Sequence, residues 1–131
     1  MNPEILIGSL LGSTAIKALV SARVALGQLP DNTTYPAIVY QVVDAYPEPN
    51  VNFDGSQRAR ARIQINPIAA TLAKVKAIHA AIRSELDFLH QKTVITKLII
   101  SCRFASLGPA DRDTDAGLWT QPADYILQWY E

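Results

Sequence analysis

The sequence has few of the residues that most often carry chemistry: one cysteine and two histidines in 131 residues. A single thiol makes no intramolecular disulfide and no cysteine-based metal cage, which excludes a disulfide-stapled scaffold and a zinc module. Excess charge is missing as well, because 12 basic and 12 acidic side chains cancel to a formal net charge of zero. That balance argues against a strongly basic nucleic-acid binder and against an acidic mimic. Long hydrophobic runs are absent. The apolar start Ile5-Leu6-Ile7-Gly8-Ser9-Leu10-Leu11 has no basic residue ahead of it. It is interrupted by Ser13 to Lys17, well short of the ~18 apolar residues of a spanning helix. The expectation is a protein without membrane contact that stays in the cytoplasm where it is made. No Gly-rich phosphate loop, nucleophile elbow or HExxH pattern occurs, so no catalytic residue, cofactor or metal is expected and an enzyme is disfavoured.

What is present is an ordinary globular composition, 49% hydrophobic, in a chain long enough for one core and too short for two. Residues 1–131 therefore read as a single domain. Pro3 and Glu4 suit the first turn of a short amphipathic helix, Gly12 stops it, and Ser13 can cap a second one carrying Ile16, Leu19 and Val20. Arg23 to Leu29 reads as a short strand. Tyr35 to Tyr46, dense in β-branched and aromatic residues, reads as a longer one closed by Pro47 and Pro49. Asn50 to Gly55 is a hairpin connection. Ser56 to Asn66 alternates with period two, and from Pro67 to about Leu89 apolar residues recur at helical spacing. Thr93 to Phe104 returns to strand composition, residues 106–121 read as a long loop, and Asp124 to Tyr130 is a closing strand. The fold class is α+β: a mixed or antiparallel sheet with one long helix across a face and short N-terminal helices. The expected core is Ile63, Ile65, Leu72, Val75, Ile78, Ile82, Leu86, Leu98, Ile100 and Leu127.

His79 and His90 have no second ligand at metal spacing, and Cys102 sits in an apolar strand where it acts as a small hydrophobe. The sharpest feature is Arg58, Arg60 and Arg62 on one face of the alternating strand. Guanidiniums so placed repel unless solvated or paired with anions. They fit the solvated face of a sheet, a subunit contact, or a surface toward DNA phosphates. The run Asp111-Arg112-Asp113-Thr114-Asp115 is a solvated loop or the complement of that row across subunits. Tyr125, Leu127 and Trp129 share a core face, while Tyr46 and Tyr130 suit an interface, where amphipathic aromatics are enriched. Zero net charge is thus a sum of unlike parts. Residues 51–104 carry nine basic and three acidic side chains, and residues 105–131 carry one basic and five acidic.

Read together, these segments resemble a known family. The strand Pro36-Ala37-Ile38-Val39-Tyr40-Gln41, the strand Arg62-Ile63-Gln64-Ile65-Asn66 running into a helix, and the closing Asp124-Tyr125-Ile126-Leu127-Gln128-Trp129-Tyr130 occur in the order seen in phage tail-completion proteins. These are the tail terminators, or head-to-tail joining proteins, of long non-contractile tails. The longer segment at residues 106–121 departs from the plain hairpin of that pattern. The resemblance implies a structural virion protein: a hexameric ring that caps the tail tube, ends its polymerisation and presents a surface to the head connector. It further implies DNA passing through the lumen without sequence-specific binding. Arg58, Arg60, Arg62, Asp111, Asp113, Asp115, Tyr46 and Tyr130 are the candidate contacts to a neighbouring copy, the tube protein or the connector. Two alternatives remain: another neck component such as a head-completion adaptor, or a small nucleic-acid-binding module using the arginine face.

Overall fold

The structure is a computed structural model that describes residues 1–48 and 57–131; the expected hairpin connection Asn50 to Gly55 lies outside the described residues. Helix α1 spans Pro3–Leu11 and α2 spans Thr14–Val20. Pro3 occupies the first turn of α1, where its missing N–H has no intrahelical partner to lose, and Glu4 faces the positive end of the dipole. The Ser13 side chain caps α2 by accepting from the Ile16 N–H at 3.4 Å. No single helix among the described residues is long and apolar enough to cross a membrane. Helices α1 and α2 together are bent by 75°, and Leu6, Ile7, Leu10, Leu11, Ile16 and Val20 are buried in the core.

Strands β1 (Val24–Leu26), β2 (Ala37–Glu48) and β3 (Arg58–Ala69) follow, then α3 (Leu72–Leu86), β4 (Leu89–Val94), β5 (Lys97–Leu107), β6 (Asp111–Asp113), β7 (Leu118–Thr120) and β8 (Ala123–Tyr130). They form one mixed sheet in the order β1-β2-β3-β8-β5-β4, with β7 beside the end of β3 and β6 beside β7. Among the described residues only the β1–β2 pair is parallel. The class is the expected α+β.

The helix starts later and ends earlier than its apolar spacing suggests. Pro67 remains in β3, opposite Ile38 of β2, at the gap where pairing with β8 stops at Ile65 and pairing with β7 begins at Ile68. A residue without an N–H is tolerated at such an interruption of a ladder. The Thr71 side chain then caps α3 by accepting from the Lys74 N–H at 3.2 Å. Val75, Ile78, Ile82 and Leu86 are the buried stripe of α3, whereas Leu72, in the first turn, is only half-buried. The period-two segment behaves as its alternation requires: Ala59, Ala61, Ile63, Ile65 and Ala69 are buried.

Three register shifts, one on β2 and two on β5, decide the remaining faces. The ladder between β2 and β3 skips Val43, so inward positions change from Ile38, Tyr40 and Val42 to Ala45. The same shift turns Asp44, Tyr46 and Glu48 outward. On β5 the ladder skips Ile100, which leaves Ile99 and Cys102 buried while Leu98 and Ile100 are half-buried. The expected core positions Leu98 and Ile100 are thus corrected to Ile99 and Cys102. Tyr125, Leu127 and Trp129 complete the core from β8. Each large apolar side chain withdrawn from water in this way contributes roughly 1.5–3 kcal/mol before the entropy of ordering it.

Candidate functional site

The outward face of β3 presents Arg58, Arg60, Arg62, Gln64 and Asn66. On β2, Glu48 lies opposite Arg58, Tyr46 opposite Arg60 and Asp44 opposite Arg62. On β8, Tyr130, Gln128 and Ile126 flank the same three arginines in that order. The sheet therefore gathers Arg58, Arg60, Arg62, Tyr46 and Tyr130 on one solvent-facing surface, with Tyr46 and Tyr130 both exposed.

The surface carries its own anions. The Arg62 Nε donates to Asp124 Oδ2 at 2.7 Å and its Nη2 donates to Ser106 Oγ at 3.2 Å. Arg60 Nη1 donates to Glu48 Oε1 at 3.4 Å. Glu48 also accepts from Gln128 Nε2 at 3.1 and 3.0 Å, and Gln128 Oε1 accepts from Ser101 Oγ at 2.9 Å. Carboxylates brought in by the β2 bulge and by β8 relieve the repulsion that a bare arginine row would suffer. Each guanidinium still has N–H groups beyond those bonds, since it carries five donors.

Beside these pairs lies a surface hollow of about 340 Å³ lined by Asp44, Tyr46, Arg60, Arg62, Arg103, Ala105 and Ile126. Arg103 comes from β5, opposite Ile126 of β8. It is exposed, and among the described residues no carboxylate lies within ion-pair distance of it. The parity of β5 depends on the skipped Ile100, so alternation along that segment alone does not place Arg103 on this face.

Asp111, Asp113 and Asp115 are elsewhere. Residues 106–121, expected as a long loop, contain the β6–β7 hairpin, attached to the sheet where β7 pairs with Ile68 and Ala69 at the far end of β3. Asp113 Oδ1 accepts from the Asp115 and Ala116 N–H groups at 3.1 and 3.2 Å, and the Gly117 N–H donates to Asp113 O at 2.7 Å. Gly117 closes the turn at φ +68°, a left-handed backbone that glycine adopts without a Cβ penalty. At the hairpin base, Gly108 crosses Pro122: its N–H donates to Pro122 O at 2.7 Å, and a Cβ there would meet Pro122 Cγ at 2.9 Å. Arg60 and Ala69 are nine residues apart along β3, a span of about 30 Å. The basic face and the acidic hairpin of one chain thus do not touch.

Burial pushes the Cys102 thiol up to about 12, with the Asp87 charge adding to the effect; a thiol so raised is a poor nucleophile. His79 places Nε2 2.6 Å from the Gln121 carbonyl oxygen, so it donates as the Nε2–H tautomer, and burial lowers its pKa. His90 is exposed on β4. Among the described residues no His, Cys, Asp and Glu side chains group as metal ligands.

Comparison with known proteins assigns the family. The profile of the tail completion protein gp17 family matches residues 4–118. The chain belongs to that family. Its members are structural components of the virion tail, and the basic face and acidic hairpin described above are surfaces of such a tail completion protein. Among solved structures, a chain of the virion of a native gene transfer agent particle matches with a TM-score of 0.69 and 15% identity. That match covers 98% of this chain and 93% of the other. At that identity the likeness concerns the fold. A search of the curated proteins returns no match.

Proposed function

We propose that the protein assembles as a homo-oligomeric ring, a hexamer, that caps the phage tail tube, ends its polymerisation and offers the joining surface to the head connector. The observation that carries this reading is the match to the tail completion family over residues 4–118. The charge layout supports it: a basic face and an acidic hairpin at opposite ends of β3 suit head-to-tail contact around an axis, which closes a ring. The nucleic-acid alternative is disfavoured, because Asp44, Glu48 and Asp124 stand among the arginines. A polyanion gains affinity by replacing counterions on uncompensated cations, and here the cations are largely compensated. DNA passing through a ring would for the same reason slide rather than bind.

The test is addition of the purified protein to tube protein that is polymerising. Growth should halt, with extra density at one end of each tube in electron micrographs. Tubes that lengthen at the same rate with no added density would reject the capping role and favour a head-completion adaptor. Retention of the protein on DNA at low salt, abolished by glutamine at Arg58, Arg60 and Arg62, would favour the nucleic-acid module.

A further inference from the structure

We propose that the hollow between Arg62 and Arg103 is the socket for the β6–β7 hairpin tip of a second copy of this chain, with Asp115 leading. The proposal rests on the ring reading above and names the contact within it. The lining sets three guanidiniums, Arg60, Arg62 and Arg103, against the one carboxylate of Asp44; Arg60 is paired with Glu48, and Arg62 is held on one edge by Asp124 and Ser106. Arg103 on the opposite wall has no carboxylate partner among the described residues. Between them Ile126 forms an apolar floor.

The occupant is argued from charge and reach. Asp111, Asp113 and Asp115 are exposed, and no cation among the described residues pairs with them. The Asp113 carboxylate is tied into the turn, which holds the tip in shape, while Asp115 stands within that turn with its side chain exposed. A hollow of about 340 Å³ is large enough for one or two carboxylate side chains and too compensated to hold a long polyanion. Arg62 and Ile68, where β7 attaches, are six residues apart, about 20 Å along β3, and that separation stops a chain from filling its own hollow. The carboxylate must come from a neighbour, and its own hollow then accepts the next copy's hairpin. The contact is heterologous, as a closed ring requires.

The experiment places cysteine at both positions, Arg103→Cys with Asp115→Cys, in the full chain. Cys102 is buried and does not compete. Under mild oxidation the double variant should give a ladder of covalent oligomers on a denaturing gel, and either single variant should stop at dimers. Charge reversal is the second arm. Arg103→Glu should raise the concentration needed for assembly about tenfold, and adding Asp115→Arg should restore it to within a few-fold. Rings visible by light scattering and microscopy without a ladder, and indifferent to Arg103→Glu, would overturn this contact and leave the ring standing. Monomers at every concentration, alone and with tube ends present, would overturn both. Tight salt-sensitive binding of a DNA oligonucleotide by the unaltered chain, lost in Arg103→Glu, would overturn it in favour of a phosphate partner.

Discussion

Arg62 on β3 and Asp124 on β8 meet at 2.7 Å between Nε and Oδ2, diagonally across adjacent strands on the solvent side of the sheet. The Arg62 side chain is 39% exposed and that of Asp124 18%, so water and salt screen the pair. Its worth is in orienting the Arg62 guanidinium more than in holding the fold. Arg62→Gln or Asp124→Asn should cost no more than about 1 kcal/mol in thermal or urea unfolding, and less in high salt. A double-mutant cycle isolates the coupling. A coupling several-fold larger that salt does not weaken would show that the pair is desolvated.

His79 makes stability depend on pH. Burial, the larger influence, and the Lys76 charge lower its pKa from 6.5, against the opposing pull of its bond to the Gln121 carbonyl. The folded state therefore favours the neutral ring, and the unfolded chain takes the proton first as pH falls. This contribution is fully present above about pH 6.5 and is lost as pH drops below that value through the folded pKa. Melting temperatures measured between pH 7.5 and 5 should fall in the parent and fall less in His79→Gln. Equal slopes would rule out His79 as the source.

Cys102 reports on the β5–β8 interface. With its thiol raised to about 12 and 1% exposed, it should not react with a disulfide reagent in the native protein and should react at once in denaturant. Rapid labelling under native conditions would mean that β5 opens readily from β8.

Position along α3 separates core from margin. Ile78→Asp or Ile82→Asp buries an unpaired charge against the sheet and should unfold the domain, a loss of several kcal/mol. Leu72→Asp, at a half-buried position in the first turn, should cost about 1–2 kcal/mol and leave a cooperative transition. Circular dichroism melts distinguish the two; similar losses at Leu72 and Ile78 would contradict the helix placement.

Much of the fold is legible in the chain because single segments declare their own period. Ala59 to Ile65 alternates, Val75 to Leu86 steps by three and four, and Tyr125, Leu127 and Trp129 form one row; all three groups are buried as their spacing demands. What is not legible depends on a neighbouring strand. The skipped residues Val43 and Ile100 reverse the parity of β2 and β5, and a bulge is defined by the ladder opposite rather than by its own residues. For that reason Glu48 and Arg103 join the arginine face without any signal in their own segments, and Leu98 and Ile100 lose their expected core places to Ile99 and Cys102. The β6–β7 hairpin is hidden for a related reason. Its strands are three residues long and polar in β6, and they form because β7 docks on Ile68 and Ala69. Of the candidate contacts, the arginines and tyrosines converge on one face while the aspartates do not join them, a separation that only the register reveals.

The proposed capping role makes this protein the stop to tail growth. The most direct measurement is the length distribution of tails in electron micrographs of particles assembled without it. Tubes of irregular length running past the wild-type value, with heads unattached, are the expected result. Tails of uniform wild-type length that merely fail to join heads would contradict it.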